Sequence, residues 1–143
     1  MIDKEWIDLR RAAVDELRDL YPNWDGYAAP VIHETALQMA DDFIDATFAW
    51  GSVLPLARQK TLENLYIYPN LRGTIEFHWA LILPRCDVDI LIEVGIQSSH
   101  LCTVLTIEDD NQKCQTDLQS FLSLVEVIAY IQSLLNELEN KHA

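Results

Sequence analysis

Trp6, Leu9, Ala13, Leu17 and Leu20 recur at three- and four-residue steps, with Lys4, Asp8, Arg11, Asp15, Arg18 and Asp19 largely between them. That period predicts an amphipathic helix, with Asp3 placed to cap its first turn. Tyr21-Pro22-Asn23 ends it, because proline disfavours helical geometry in the residue before it and has no N–H to donate. Ala36, Leu37, Ala40, Phe43, Ile44, Thr47 and Phe48 describe a second helix from about residue 34 to Trp50, with Gly51 as its stop.

Beyond residue 64 the period changes to two. Leu65-Tyr66-Ile67-Tyr68 and a turn over 69–73 lead into Ile75, Phe77, Trp79 and Leu81, which alternate with Glu76, His78 and Ala80. Val88, Ile90, Ile92, Val94 and Ile96 alternate in turn with Asp87, Asp89 and Glu93. The two segments predict a hairpin, and keeping both apolar sets on one face requires paired residue numbers with an odd sum. A sum of 169 closes the loop over 83–86 and sets Glu76 opposite Glu93. Residues 100–107, rich in β-branched side chains, predict a third long strand, and 108–111 a turn. From Asp117, read as a cap, Leu118, Phe121, Leu122, Val125, Ile128, Ile131, Leu135 and Leu138 restore the helical period. Residues 52–64 carry no clear period, and Val53-Leu54-Pro55-Leu56 reads as loop or a short edge segment. The expected fold is therefore a single α+β domain over residues 1–143. Two N-terminal helices precede an antiparallel sheet of three to four strands, and a long C-terminal helix packs on one sheet face.

Charge narrows the function. The chain has 10 Lys+Arg against 23 Asp+Glu, a formal net charge of −13, while half of its residues are apolar. A direct nucleic-acid binder is not expected, since affinity for the phosphate backbone comes mainly from Lys and Arg. Met1-Ile2-Asp3-Lys4-Glu5-Trp6 carries neither the basic nor the apolar region of a signal peptide, and no apolar run approaches the ~20 residues needed to span a bilayer. Cys86, Cys102 and Cys114 lack CxxC spacing, so a cytoplasmic protein with reduced thiols, no membrane association and no cofactor is the expectation. Six carboxylates and no Lys or Arg lie between Arg18 and Arg58, and six more between Arg85 and Lys113. Asp41, Asp42, Asp45, Asp87, Asp89 and Glu93 are the candidate contacts for a basic protein partner, which such a surface steers and orients.

The most specific segment is Asn23-Trp24-Asp25-Gly26-Tyr27-Ala28-Ala29-Pro30. Asp25-Gly26 is a turn dipeptide, and Trp24 and Tyr27 are expected to anchor the loop by burying their rings. An exposed aromatic pair serving an interface is the functional alternative. The segment resembles the Asn-Trp-Asp-Gly-Tyr-Gly-Ala-x-Pro signature of small, uncharacterised bacterial and phage-borne proteins, and departs from it at Ala28, where glycine is usual. The resemblance implies a fold relationship centred on the first fifty residues, with Asn23, Trp24, Asp25, Gly26 and Tyr27 as a structural motif, and it implies no catalytic residue.

Catalytic chemistry has few candidates. Glu76 and His78 are two apart on one strand and share its polar face, so a general base or a metal ligand held in one tautomer is conceivable there. Asp25, His33, His100 and Cys102 are further candidates, with Cys102 read as a core thiol and His33 as an imperfect helix cap. No third ligand stands at zinc-like spacing, Asp109-Asp110-Asn111 lacks an EF-hand pattern, and no GxSxG, HExxH or phosphate-loop motif is present. The leading expectation is an acidic binding module of the inhibitor, antitoxin or immunity type. A small hydrolase or metal-dependent enzyme using Glu76 and His78 is the alternative, and a homodimer seamed by the C-terminal helix is a third reading.

Overall fold

The computed structural model describes residues 1–27, 29–82, 86–96, 99–108, 113–121 and 123–141, the backbone alone for residues 82, 86, 96, 99–108, 113–118, 138, 139 and 141. The chain runs α1 (Lys4–Arg18), α2 (Glu34–Gly51), α3 (Leu56–Leu62), β1 (Leu65–Pro69), β2 (Ile75–Ile82), β3 (Cys86–Ile96), β4 (Ser99–Glu108), β5 (Lys113–Phe121) and α4 (Leu124–Lys141). All five strands form one antiparallel meander in the order β1-β2-β3-β4-β5. The fold is α+β, with one strand more than the pattern predicts.

Asp3 caps α1 through its carboxylate, which accepts from Trp6 N at 3.1 Å, and Trp6, Ile7, Val14 and Leu17 are the residues α1 buries. At the start of α2, His33 occupies the cap position without a side-chain bond, and its backbone N–H donates to Gly73 O at 2.8 Å. This ties the α2 entry to the β1–β2 turn. The hairpin register is the expected one: Ile75 pairs with Val94, Glu76 with Glu93 and Leu81 with Val88. Ile75, Phe77, Trp79, Leu81, Val88, Ile90, Ile92 and Val94 are all buried on one face, under α2 with α3 against β2, while α4 packs against β4 and β5. Phe43 of α2 centres this core, with its ring 4.4 Å from Phe77 and 5.9 Å from Trp79.

Two segments depart from the sequence expectation. Within residues 52–64 lies α3, a helix too short to display a period. It is held by buried Gln59, which accepts from Ile2 N and donates to Ser52 O and Leu54 O at 3.0, 3.1 and 2.8 Å. Residues 113–121, partly assigned to the C-terminal helix, are strand β5 instead. Asp117 pairs with Val104 and Leu118 with Thr103 in the β4–β5 ladder. Pairing along a whole strand outweighs the local period, which runs by coincidence across two elements. Ser123 Oγ accepts from Glu126 N at 3.3 Å, so Ser123 takes the capping role expected of Asp117. Among the described side chains of α4, Val127, Ile131 and Leu135 are the buried ones, at four-residue steps, while Val125 is 78% exposed. Of the turn expected over 108–111, Glu108 ends β4, and residues 109–111 lie outside the described residues, as do Ala28, Leu122 and residues 83–85.

Candidate functional site

Among the described residues the second face of the sheet carries no buried apolar side chain, and its β1 edge borders α1. Tyr66 and Tyr68 of β1, Glu76, His78 and Ala80 of β2, and Asp87, Asp89, Leu91 and Glu93 of β3 occupy this face, by alternation with the buried set. The β1–β2 register places Tyr66 opposite His78 and Tyr68 opposite Glu76. The three rings form a near-equilateral triangle: Tyr66 to Tyr68 is 6.4 Å between centroids, Tyr66 to His78 6.1 Å and Tyr68 to His78 6.4 Å. The two tyrosine planes differ by only 18°, and the imidazole is tilted 40–45° to both. Tyr66 is 48% and Tyr68 45% exposed, and Tyr66 borders a pocket that it shares with Leu9, Arg10 and Ala13 of α1.

His78 Nε2 lies 2.9 Å from Asp89 Oδ1, so its partner is the carboxylate diagonally across on β3 and not Glu76. That contact fixes the imidazole orientation beside the tyrosines. Glu76 and Asp87 have no ion-pair partner among the described residues. Glu93 differs. Its carboxylate accepts from Arg72 and from the Thr74 hydroxyl, and it is 6% exposed, so it neutralises Arg72 inside the fold and is not displayed to a partner. Arg72 also relieves the like-charge pairing of Glu76 with Glu93.

The α2 carboxylates occupy the other side of the sheet, with the helix layer. Asp45 Oδ1 accepts from Arg11 Nη2 at 2.8 Å and Asp41 Oδ2 from Arg18 Nη2 at 3.2 Å, while Asp42 accepts from Gln38 at 3.1 Å. The stretch that lacks basic residues in sequence is compensated in space by α1, because 3.6-residue periodicity brings Arg11 and Arg18 onto its α2-facing side. Burial pushes the Asp41 carboxyl above its ordinary value, and the nearby Arg18 offsets this only in part. The six named carboxylates thus form no single surface. Asp87 and Asp89 remain on the open face, Asp42 stands exposed on α2, and the other three are engaged within the fold.

The 23–30 loop is an internally bonded turn. Asp25 Oδ1 accepts from Tyr27 N at 2.9 Å and Ala29 N at 3.0 Å, Trp24 Nε1 donates to Pro30 O at 2.8 Å, and Asn23 takes the left-handed conformation at φ 67°. The Tyr27 N–H above all holds the Asp25 carboxyl below the usual range. Those bonds commit Asp25 to the loop, away from catalysis. Trp24 is half-buried, but Tyr27 is 89% exposed and does not anchor the loop. The short Asp25 side chain closes the turn by itself, so the tyrosine ring is free to face solvent. The side chains of His100 and Cys102 lie outside the described residues.

Between α2 and α4 runs an apolar groove of about 530 Å³ lined by Ala46, Ala49, Trp50, Leu124, Val125 and Ile128. Among the described residues no group of three His, Cys, Asp or Glu is arranged to hold a metal ion, and no helix is long and apolar enough to cross a membrane. The tyrosine pair, and the bond of Asp89 to His78, escaped the sequence reading because they depend on the β1–β2 and β2–β3 registers. The Tyr-x-Tyr spacing at 66 and 68 was the available signal. No family model matches the chain, and it matches neither a curated protein nor a solved structure.

Proposed function

We propose that the protein is an acidic binding module that takes a basic segment of a partner protein on the open face of its sheet. The observation that carries this reading is the coincidence of half-exposed Tyr66 and Tyr68 with Glu76, Asp87 and Asp89 on a face that no described helix covers. Tyrosines supply rigid contact area that protein interfaces favour, and carboxylates steer a basic partner and fix its orientation. A net charge of −13 strengthens that steering. Sequestering a basic protein is the mode of an inhibitor, antitoxin or immunity protein, and the resemblance of the 23–30 segment to small bacterial and phage-borne proteins is in keeping with such an accessory role. The hydrolase reading has less support, because His78 is engaged with Asp89, Glu76 is not its partner, and Asp25 holds its own loop.

The test is titration with a fluorescent hexalysine peptide at low salt and again near 0.3 M salt, where screening weakens exposed pairs. The triple variant Glu76→Gln, Asp87→Asn, Asp89→Asn is compared with Glu5→Gln, Asp8→Asn, Glu16→Gln on α1, which removes the same charge. A several-fold greater loss for the sheet variant is the expected result. Equal losses would assign binding to net charge alone and overturn the reading.

A further inference from the structure

We infer that the Tyr66–Tyr68 pair is a seat for one arginine side chain of the partner, so that the open face selects arginine over lysine. This rests on the binding-module reading and names the group its centre recognises. A planar group between two rings needs two contacts of about 3.5 Å, or about 7 Å between ring planes. The tyrosine centroids are 6.4 Å apart and their planes nearly parallel, so small side-chain rotations open the slot to a flat guanidinium. A lysine ammonium is compact and strongly hydrated, and it gains little from two parallel faces, whereas guanidinium stacks on aromatic rings and is weakly hydrated.

The surroundings complete the selection. His78 closes one side of the pair at 6.1 and 6.4 Å from the two rings, and Asp89 holds it there. Glu76, the cross-strand partner of Tyr68, stands beside the slot with no ion-pair partner among the described residues, where a guanidinium edge presents its N–H donors. Two described cations lie near this face: Arg72 is committed to buried Glu93, and Arg10, beside Tyr66, donates to Glu63 O and lies over the Trp6 ring. The charge left on the face is acidic and complements an incoming cation.

Hexa-arginine and hexalysine peptides carry equal charge and separate the two levels of the argument. The wild type is expected to bind hexa-arginine roughly three- to tenfold more tightly than hexalysine. The Tyr66→Ala/Tyr68→Ala variant should abolish that preference while keeping hexalysine affinity, because it changes no charge. Tyr66→Leu/Tyr68→Leu, which keeps apolar bulk on β1, gives the same readout if the alanine variant folds poorly. Equal affinity of the wild type for both peptides, or an arginine preference that survives in the leucine variant, would overturn the seat and leave the module reading standing. Binding of both peptides that ignores Glu76, Asp87 and Asp89 would overturn the module reading as well.

Discussion

Gly95 of β3 lies directly under Ala36 in the first turn of α2: a Cβ built on Gly95 would stand 2.4 Å from the Ala36 Cβ and 2.8 Å from its Cα. Gly95 also has φ +99°, at the irregularity where the β3–β4 register shifts between Val94 and Ile96. The bulge turns the strand end and lets the α2 backbone come close, and both requirements exclude a side chain. Gly95→Ala is therefore expected to cost about 3 kcal/mol, read as a lower denaturant midpoint with unchanged slope.

Arg72 and Glu93 make the second prediction. The Glu93 side chain is 7% exposed and the Arg72 side chain 63%, so the arginine covers a buried carboxylate from the solvent side. Removing it leaves that charge with the Thr74 hydroxyl as its remaining described partner. Arg72→Ala should cost about 2 kcal/mol, less than for a fully buried pair because water reaches the vacated place. Adding Glu93→Gln should recover part of the loss, and a thermal melt of the three variants checks it.

Much of this arrangement was legible from sequence, and the reason lies in parity. Ile75 to Leu81 and Val88 to Val94 leave one parity class open, and closing the loop over 83–86 then selects the sum that pairs Glu76 with Glu93. Helical stripes were less informative in detail. Leu9 fits the α1 period yet is 58% exposed, and Val125 fits that of α4 yet is 78% exposed, because a helix packed on one side buries a narrower arc than its apolar residues span. What could not be read was contact between distant segments. Arg11 and Arg18 against Asp45 and Asp41, and Tyr66 beside His78, arise only once α1 meets α2 and β1 joins β2.

Acid should loosen the 23–30 loop. Backbone N–H donors from Tyr27 and then Ala29 hold the Asp25 carboxyl below its ordinary value. A depressed folded value means that the contribution is present above the unfolded value near 4 and is lost as pH falls through the lower folded one. Trp24, whose indole N–H reaches Pro30 O across the loop, reports the change. Its fluorescence should shift below pH 4 in the wild type. In Asp25→Ala the shifted signal should already be present at neutral pH. A wild-type signal that is flat with pH, together with an unshifted signal in Asp25→Ala, would separate the carboxylate from the loop.

Charge reversal on α2 separates the two acidic surfaces. Asp41 and Asp45 face Arg18 and Arg11, so Asp41→Lys/Asp45→Lys sets cation against cation across the α1–α2 contact. The pairs are substantially exposed and screened, so each contributes little alone, but reversal replaces weak attraction by repulsion at two places. The Asp41 carboxyl moderates the loss. Its folded value is raised by burial, so its stabilising contribution is fully present below the unfolded value and disappears as pH rises through the folded one. At neutral pH, then, the aspartate being replaced is itself imperfectly accommodated. The double variant should melt a few degrees lower, a deficit that shrinks in high salt as the repulsion is screened. Its arginine-over-lysine preference at the sheet face should match that of the wild type. Unchanged melting with loss of that preference would place the partner surface on α2 and return Asp41 and Asp45 to it.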